Sequence, residues 1–378
     1  MQDTYAIVGA GFTGAILARQ LAEAGRKSVV FDKRPHVAGN CHTERDADTG
    51  IMVHKYGPHI FHTDDGEVWK FIQKFGTMVP YTNRVKATVN GQVFSLPINL
   101  HTINQFFGTA MRPDEARAFI GGKTKPEPAD NFETSARNVV GDDLYQAFLE
   151  GYTAKQWGRS PRDIPASVAK RLPVRFDYDD DYFTDRFQGM PRDGYTSIVA
   201  AILDHPNITL HLSSTFDASE TTDWKHVFWT GRIDEYFAYS NGPLGYRTTD
   251  FVKTREKGDF QGCAVMNHPD KDVPHVRSTE FKHFTPWEPH TDTIVYHEYP
   301  RECGATDEPM YPIRTTRDKE RLAKYVQQAQ STDNVTFAGR LGTYRYLDMD
   351  DAIREAMDLA QRVTTHATAP RFWAHPLS

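Results

Sequence analysis

Cysteine is scarce in this chain and scattered where it occurs. Cys41, Cys263 and Cys303 form no C-x-x-C pair, which excludes a dithiol redox centre of the usual motif type. They read as reduced thiols, so a cytoplasmic setting is expected. Positive charge is not in excess either. Against 50 Asp and Glu stand 44 Lys and Arg, giving a net charge of -6 and a pI near 6.2. That balance argues against a nucleic-acid footprint, although it leaves room for a local basic pocket. The chain shows no basic leader, and its first apolar run is broken by three glycines, so neither a signal peptide nor a membrane span is expected. Internal repeats and low-complexity tracts are absent as well. What is present is ordinary for a globular chain of 378 residues, with 25% charged and 39% hydrophobic residues. Two or three domains with sizeable cores fit that length.

The stretch from Tyr5 to Arg34 organises the rest. Tyr5-Ala6-Ile7-Val8 is an apolar run of strand length, followed by Gly9-Ala10-Gly11-Phe12-Thr13-Gly14, a G-x-G-x-x-G. Ala15, Leu17, Ala18, Leu21 and Ala22 then recur at helical spacing up to Gly25, and Ser28 to Phe31 returns as a strand ending at Asp32. This order predicts a βαβ dinucleotide-binding unit. Gly9 makes the tight turn, Gly11 lets the backbone approach a pyrophosphate, and Gly14 lets helix and strand pack closely. The phosphates would sit at the helix N-terminus, and Asp32 would accept hydrogen bonds from a ribose. Its charge would repel a 2′-phosphate. At this point FAD and NAD both remain open.

Further along, Lys33 to Asn40 is a loop with Pro35 and Gly39, a candidate cofactor contact. His59 and His62 flank Ile60 and Phe61 just after Gly57-Pro58. The glycine and proline block a helix before His59, and no cysteine or third histidine at ligand spacing accompanies the pair, so no metal is expected. An active-site loop is the reading adopted, with a satisfied buried histidine as its alternative. Asn90-Gly91 between alternating segments predicts a hairpin over 84–96. From about 101 to 170 helical segments dominate: 102–107, 113–120, 132–139 and 142–148, with a Pro-rich loop at 121–130. A helix from Asp193 leads to a strand at 208–212, and His226 to Gly231 is a buried strand. Aromatic-rich segments around Phe251, Phe260 to Met266, Phe281 to Phe284 and Thr293 to Tyr299 predict an antiparallel sheet. Val335 to Gly339 is a strand, and a closing helix starts at Asp348-Met349-Asp350, whose dipole could face a flavin ring.

Taken together, these segments closely resemble the UDP-galactopyranose mutase family of flavoproteins. The residues that carry the resemblance are the first glycine motif, YGPHIFHT at 56–63, NRVKATVNGQVFSLPINL at 83–100 and GYTAKQWG at 151–158. KRLPVRF at 170–176, QGMPRDGYT at 188–196 and GRLGTYRYLDMD at 339–350 complete them, and together they span most of the chain. One departure is Val37-Ala38-Gly39-Asn40, where the family often has two glycines before the asparagine. Alanine there costs little unless the backbone needs positive φ.

The resemblance implies an α/β fold in three parts. A discontinuous Rossmann-type FAD-binding domain would take 1–77, 196–232 and 330–378. An inserted helical domain would take 101–178, with a mobile substrate loop at about 159–175. An antiparallel β-sheet domain would take 78–100, 179–195 and 233–329. It also implies FAD, active when reduced, and UDP-galactose as substrate, interconverted between pyranose and furanose with no net redox change. Flavin N5 would attack the anomeric carbon, UDP would leave, and a flavin iminium would precede reclosure of the ring. No nucleic acid or membrane insertion is expected, and a homo-oligomer, homodimer or larger, is.

Residue by residue, the family's two essential arginines fall on Arg171 and Arg277, and a further one on Arg247. Its phosphate-binding tyrosines fall on Tyr182, Tyr311 and Tyr346. Phe148, Tyr152, Thr153 and Trp157 match the uridine and sugar wall. Asn83, Asn267 and Phe183 match further substrate contacts. His62 would face the flavin. Cofactor contacts fall on Gly9, Gly11, Phe12, Thr13, Gly14, Asp32, Lys33, Gly39, Asn40, His59, Gly231, Arg340, Tyr346, Asp348 and Met349. Arginine forks and phenol donors suit a leaving diphosphate, on which negative charge grows. The run Asp177 to Asp185, with five aspartates, reads as a solvated face rather than a metal site. Two alternatives stand beside this reading: a flavin oxidoreductase of amine-oxidase type and a non-catalytic nucleotide-sugar sensor.

Overall fold

The computed structural model describes residues 3–171, 173–365 and 369–373, with the backbone alone at positions 170 and 171. Among them, Ile208–His211, Lys27–Phe31, Thr4–Val8, His226–Trp229 and Val335–Phe337 lie side by side in that order as a five-stranded, all-parallel sheet. Parallel neighbours need crossovers, and the first is the helix Phe12–Glu23. Gly14 is what lets it sit down on the sheet: a Cβ there would lie 1.9 Å from the Gly9 carbonyl oxygen. The closing helix Met349–Thr365 packs against Phe12–Glu23. Ile16, Leu17, Leu21, Ile353 and Leu359 are wholly buried there, each contributing about 1.5–3 kcal/mol to the common core.

A second, seven-stranded sheet runs in the order Tyr311–Pro312, Tyr246–Lys257, Asp292–Glu302, Arg277–Glu280, Val265–Asn267, Val85–Val89, Gln92–Leu96. Its neighbours are antiparallel except for Val265–Asn267 beside Val85–Val89. The expected hairpin turns at Asn90 and Gly91, both at positive φ, 49° and 74°. Two segments differ from expectation. Phe281–Phe284 is a 3-10 turn, and only Val265–Asn267 of the stretch from Phe260 joins the sheet. Phe281 and Phe284 are buried against the aromatic core, so burial rather than strand pairing accounts for their hydrophobicity.

Helices Leu100–Phe107, Pro113–Lys123, Phe132–Leu144 and Gly151–Trp157 make the helical layer, with a π-turn at Tyr145–Glu150 feeding the last. They share a core with the hairpin through Phe94, Ile103, Phe132, Leu144 and Phe148. A kink at Gly141, φ 76°, breaks Phe132–Leu144 near its end. Among the described residues no helix is long and apolar enough to cross a membrane.

Candidate active site

The parallel sheet, the seven-stranded sheet and the helix Gly151–Trp157 meet around a cleft of about 980 Å³. One end of it is the glycine turn. Gly9 sits at φ +108°, and a Cβ on it would strike the Thr230 hydroxyl at 2.1 Å, so only glycine closes this turn. The helix Phe12–Glu23 begins at Gly11 with no side-chain cap and no acidic residue in its first turn. Its free N–H groups and positive dipole end are thereby left to the cleft, the arrangement that binds phosphate. Gly11 and Gly39 face each other closely, since a Cβ on Gly39 would lie 3.3 Å from the Gly11 Cα. Asp32 accepts the N–H of Ala10 (2.8 Å) and of Arg34 (2.9 Å), one on each oxygen, which aims the carboxylate and leaves lone pairs for hydroxyl donors. Gly339, at φ +73°, allows the C-terminal segment to touch Thr13.

The other end is cationic and phenolic. Arg277 projects from the strand Arg277–Glu280 with its Nε 3.3 Å from the Glu298 carboxylate. Burial opposes the charge of Arg277, but Glu298 and the phenols of Tyr152 and Tyr311 outweigh it and raise its pKa. Burial likewise pushes the Tyr152 and Tyr311 phenols above their usual range, keeping them O–H donors. Tyr311 and Tyr346 lie nearly parallel with ring centres 5.9 Å apart, and the Arg340 guanidinium lies over both, 4.4 Å from the Tyr346 centre. His62 stacks on Phe183 at 3.7 Å and has Nδ1 3.1 Å from the Asp185 carboxylate. His59 donates from Nδ1 to the Gly57 carbonyl (2.8 Å), so its Nε2 is the bare nitrogen of the neutral ring. Burial, then Arg340 and Arg277, bring its pKa down to about 4.

Most of the expected site residues line this one cleft. On the glycine side are Gly9, Gly11, Phe12, Thr13, Asp32, Lys33, Gly39, Asn40, His59, Gly231, Arg340, Asp348 and Met349. On the other are His62, Asn83, Tyr152, Trp157, Tyr182, Phe183, Asn267, Arg277, Tyr311 and Tyr346. Four positions differ. Phe148 is buried in the helical core, edge-on to Phe94, because the π-turn directs it inward. Thr153 is buried at 5% exposure and is not part of the cleft wall. Arg247 does not line the wall: it donates to the carbonyls of Gln156 (3.0 Å) and Lys155 (3.3 Å), closing the C-terminus of Gly151–Trp157. Gly14 lies beneath the turn, against Gly9. The side chain of Arg171 lies outside the described residues.

Several wall residues were not anticipated. Arg34 forms an ion pair with Glu308, and Asn40 donates to the Pro309 carbonyl (3.2 Å). Arg340 donates to the Met310 carbonyl (2.6 Å), so three cofactor-side residues tie down the strap that leads to Tyr311. Arg34, two residues beyond Asp32, could have been found from the motif; Glu308 has no local signal. Three residues of the cleft wall, Asn83, Gln156 and Arg340, each carry a buried atom, Oδ1, Oε1 and Nε, without a hydrogen-bond partner among the described residues. Unpaired buried polar atoms are costly, about 1–3 kcal/mol each, and their concentration here fits a polar ligand along the cleft.

An uncapped glycine-rich helix start facing an arginine–tyrosine wall across one cleft, on a Rossmann-type sheet joined to a second sheet, defines a dinucleotide-binding enzyme of flavoprotein architecture. Residues 147–346 match the family model described as UDP-galactopyranose mutase, and 7–75 match that of an NAD(P)-binding Rossmann-like domain. The chain belongs to the UDP-galactopyranose mutase family of isomerases. It is 55% identical to a probable UDP-galactopyranose mutase of Klebsiella pneumoniae over 94% of its length and 93% of the relative's. It is 51% identical to a dTDP-fucopyranose mutase of Escherichia coli, covering 94% and 97%. A UDP-galactopyranose mutase of Mycoplasma pneumoniae is 30% identical, covering 95% and 96%. A crystal structure of reduced UDP-galactopyranose mutase superposes with a TM-score of 0.73 at 17% identity, covering 97% of this chain and 94% of that one. A putative protoporphyrinogen oxidase from Exiguobacterium shares the fold at TM-score 0.64 and 13% identity, covering 97% and 99%.

Proposed function

We propose that this enzyme interconverts UDP-galactopyranose and UDP-galactofuranose, with reduced FAD held along the glycine side of the cleft. When bound, the reduced flavin supplies a nucleophilic nitrogen to the anomeric carbon, so the exchange of ring forms needs no net oxidation. The chain's own residues do the rest. The N–H groups at Gly11, Phe12 and Thr13 hold the cofactor pyrophosphate, and Asp32 holds a ribose. Arg340, Asp348 and Met349 support the flavin ring at the N-terminus of the closing helix, and His62 lies at its face. Arg277, with Tyr182, Tyr311 and Tyr346, takes the charge that grows on the departing diphosphate. Arg171 supplies a second guanidinium to it. Asn83 and Asn267 orient the sugar, while Tyr152 and Trp157 form the nucleobase wall.

The division into a FAD-binding, a helical and a sheet domain, and assembly as a homo-oligomer, belong to the same proposal. The single observation that carries it is Arg277 beside the Tyr152 and Tyr311 phenols, sharing one cleft with an uncapped phosphate-binding helix start.

A second reading has one observation behind it, the 51% identity to a dTDP-fucopyranose mutase. The test is to incubate purified protein with UDP-galactofuranose or dTDP-fucofuranose, with and without dithionite, and follow the pyranose by HPLC. Conversion of the UDP-sugar only after reduction is expected. Preference for the dTDP-sugar in kcat/KM would move the substrate to the second reading. Bleaching without conversion of either would overturn both in favour of an oxidoreductase or a sensor.

A further inference from the structure

Lys155 stands one helical turn beyond Tyr152 on Gly151–Trp157, yet it is not part of the cleft wall. Its ammonium group instead reaches four main-chain carbonyls of a single loop: His268 (2.6 Å), Asp270 (2.8 Å), Val273 (2.7 Å) and His275 (3.2 Å). Among the described residues no carboxylate is within ion-pair distance of it; the ammonium gathers backbone dipoles much as a bound cation would, with its three N–H donors shared among four acceptors. That loop has a particular place in the fold. It connects Asn267 to Arg277, which are paired across the ladder of Val265–Asn267 and Arg277–Glu280. His268 donates its N–H to the Val276 carbonyl (2.8 Å) at the base of the loop. The loop 268–275 is therefore the segment through which this strand pair, with both side chains, meets the helix.

Two further contacts bring the same helix and loop together. Gly151 is so close to Pro269 that a Cβ would lie 2.1 Å from its carbonyl oxygen. Lys271 forms an ion pair with Glu150 at 2.7 Å, just before the helix. The cleft's helical wall, with Tyr152, Gln156 and Trp157, is thus joined to the loop of the strand pair bearing Asn267 and Arg277 through the ammonium group, the close packing at Gly151 and the Lys271–Glu150 ion pair.

We propose that Lys155 is a positioning residue that fixes Asn267 and Arg277 at a set distance from Tyr152 and Trp157, so that a nucleoside diphosphate spans the two walls. This rests on the reading of the cleft given above. The carbonyl cage is geometric rather than simply ionic. An arginine there would keep the charge but present a planar fork that cannot serve four converging carbonyls.

The test compares wild type with Lys155→Met and Lys155→Arg as dithionite-reduced holoenzymes, with UDP as the binding probe. Both variants are expected to keep wild-type FAD content, with Lys155→Met melting lower because the loop carbonyls lose their donor. The UDP dissociation constant and the KM for UDP-galactofuranose should rise tenfold or more, and kcat should fall with them, because Arg277 both holds the diphosphate and takes the charge that grows on it. A purely structural lysine would move the melting temperature alone and leave UDP affinity and turnover unmoved. UDP affinity and KM within twofold of wild type in folded, yellow Lys155→Met would overturn the inference. Should that variant not fold, Gly151→Ala, whose added Cβ pushes Pro269 and its loop from the helix and so stretches the ammonium's contacts, decides by the same two thresholds. Failure of the wild type itself to bind UDP or turn over would instead remove the reading of the cleft, and this inference with it.

Discussion

Ala38 pays a conformational cost that its neighbours in the sequence conceal. Its backbone is left-handed, φ 75° and ψ 1°, while its N–H donates to the Ala10 carbonyl at 2.9 Å and its side chain is buried. The backbone here does need positive φ, so alanine is the strained residue and glycine the relaxed one. Ala38→Gly should stabilise the protein by about 1 kcal/mol, since an L-residue in this region costs roughly 1–2 kcal/mol. Thermal unfolding followed by flavin fluorescence would show a raised midpoint. Arg277 is the residue on which turnover should depend most. Arg277→Ala removes the buried guanidinium beside Tyr152 and Tyr311, and turnover of UDP-galactofuranose should fall by roughly 10²–10³-fold, the usual effect of deleting one stabiliser of developing charge. Its flavin colour should persist, because the residues proposed to hold the cofactor lie mainly on the glycine side of the cleft. A colourless Arg277→Ala protein would mean that the side chain serves the cofactor instead.

The helix Gly151–Trp157 shows how a short element is held in place by groups far from it in sequence. Gly158 ends it at φ 62°, and a Cβ there would lie 2.5 Å from the Arg247 guanidinium. Arg247 is only 3% exposed and spends its donors on the last carbonyls of the helix, where a cation is also favoured by the dipole. Burial lowers its pKa without threatening its charge. Arg247→Met keeps the bulk but strips those carbonyls of donors, so stability should fall by about 1–3 kcal/mol. Hydrogen exchange at residues 152–158 should accelerate, and KM should rise as Tyr152 and Trp157 loosen. Unchanged exchange there would show that the helix end does not depend on Arg247. At this scale the sequence was unevenly legible. The first βαβ unit and the Asn90-Gly91 hairpin are specified by residues within a few positions of one another. The helix Thr316–Ser331 was not legible: apart from its capping box at Thr315 and Asp318, it buries only Asp318, Tyr325 and Ala329, too narrow a stripe for hydrophobic periodicity to register.

For the molecule as a whole, acid is the predicted weakness. His54 is fully buried, accepts the His59 backbone N–H at Nδ1 (3.0 Å) and lies against Phe284. Burial, then the neighbouring His59, brings its pKa down to about 3, and that of His59 falls to about 4. In the unfolded chain both rings titrate near 6.5. Above that pH neither state carries the extra protons, and the two histidines leave stability unchanged. Below it the unfolded chain takes up protons that the native state refuses, so stability is lost from about pH 6.5 down to about pH 4. The slope should approach about 1.4 kcal/mol per pH unit for each histidine. Denaturant midpoints measured between pH 7 and pH 4 would check this, and His54→Phe should flatten the decline. A pH-independent midpoint over that range would contradict the burial of these rings.

The sequence by itself determined the dinucleotide-binding turn, because glycine spacing, an uncapped helix start and a terminal acid act through contacts within about one helical turn or one strand pairing. It also carried the family, through motifs spread along the chain. Only the tertiary structure decided which side chains reach the cleft. Phe148 and Tyr152 lie four residues apart at the edge of one helix, yet the first faces the core and the second the cavity, because the π-turn between the helices alters which face packs inward. Arg247 became a helix clamp, and Glu308 a partner of Arg34, for the same physical reason. A long side chain binds whatever unpaired group the fold brings within its reach, and that group can come from anywhere in the chain.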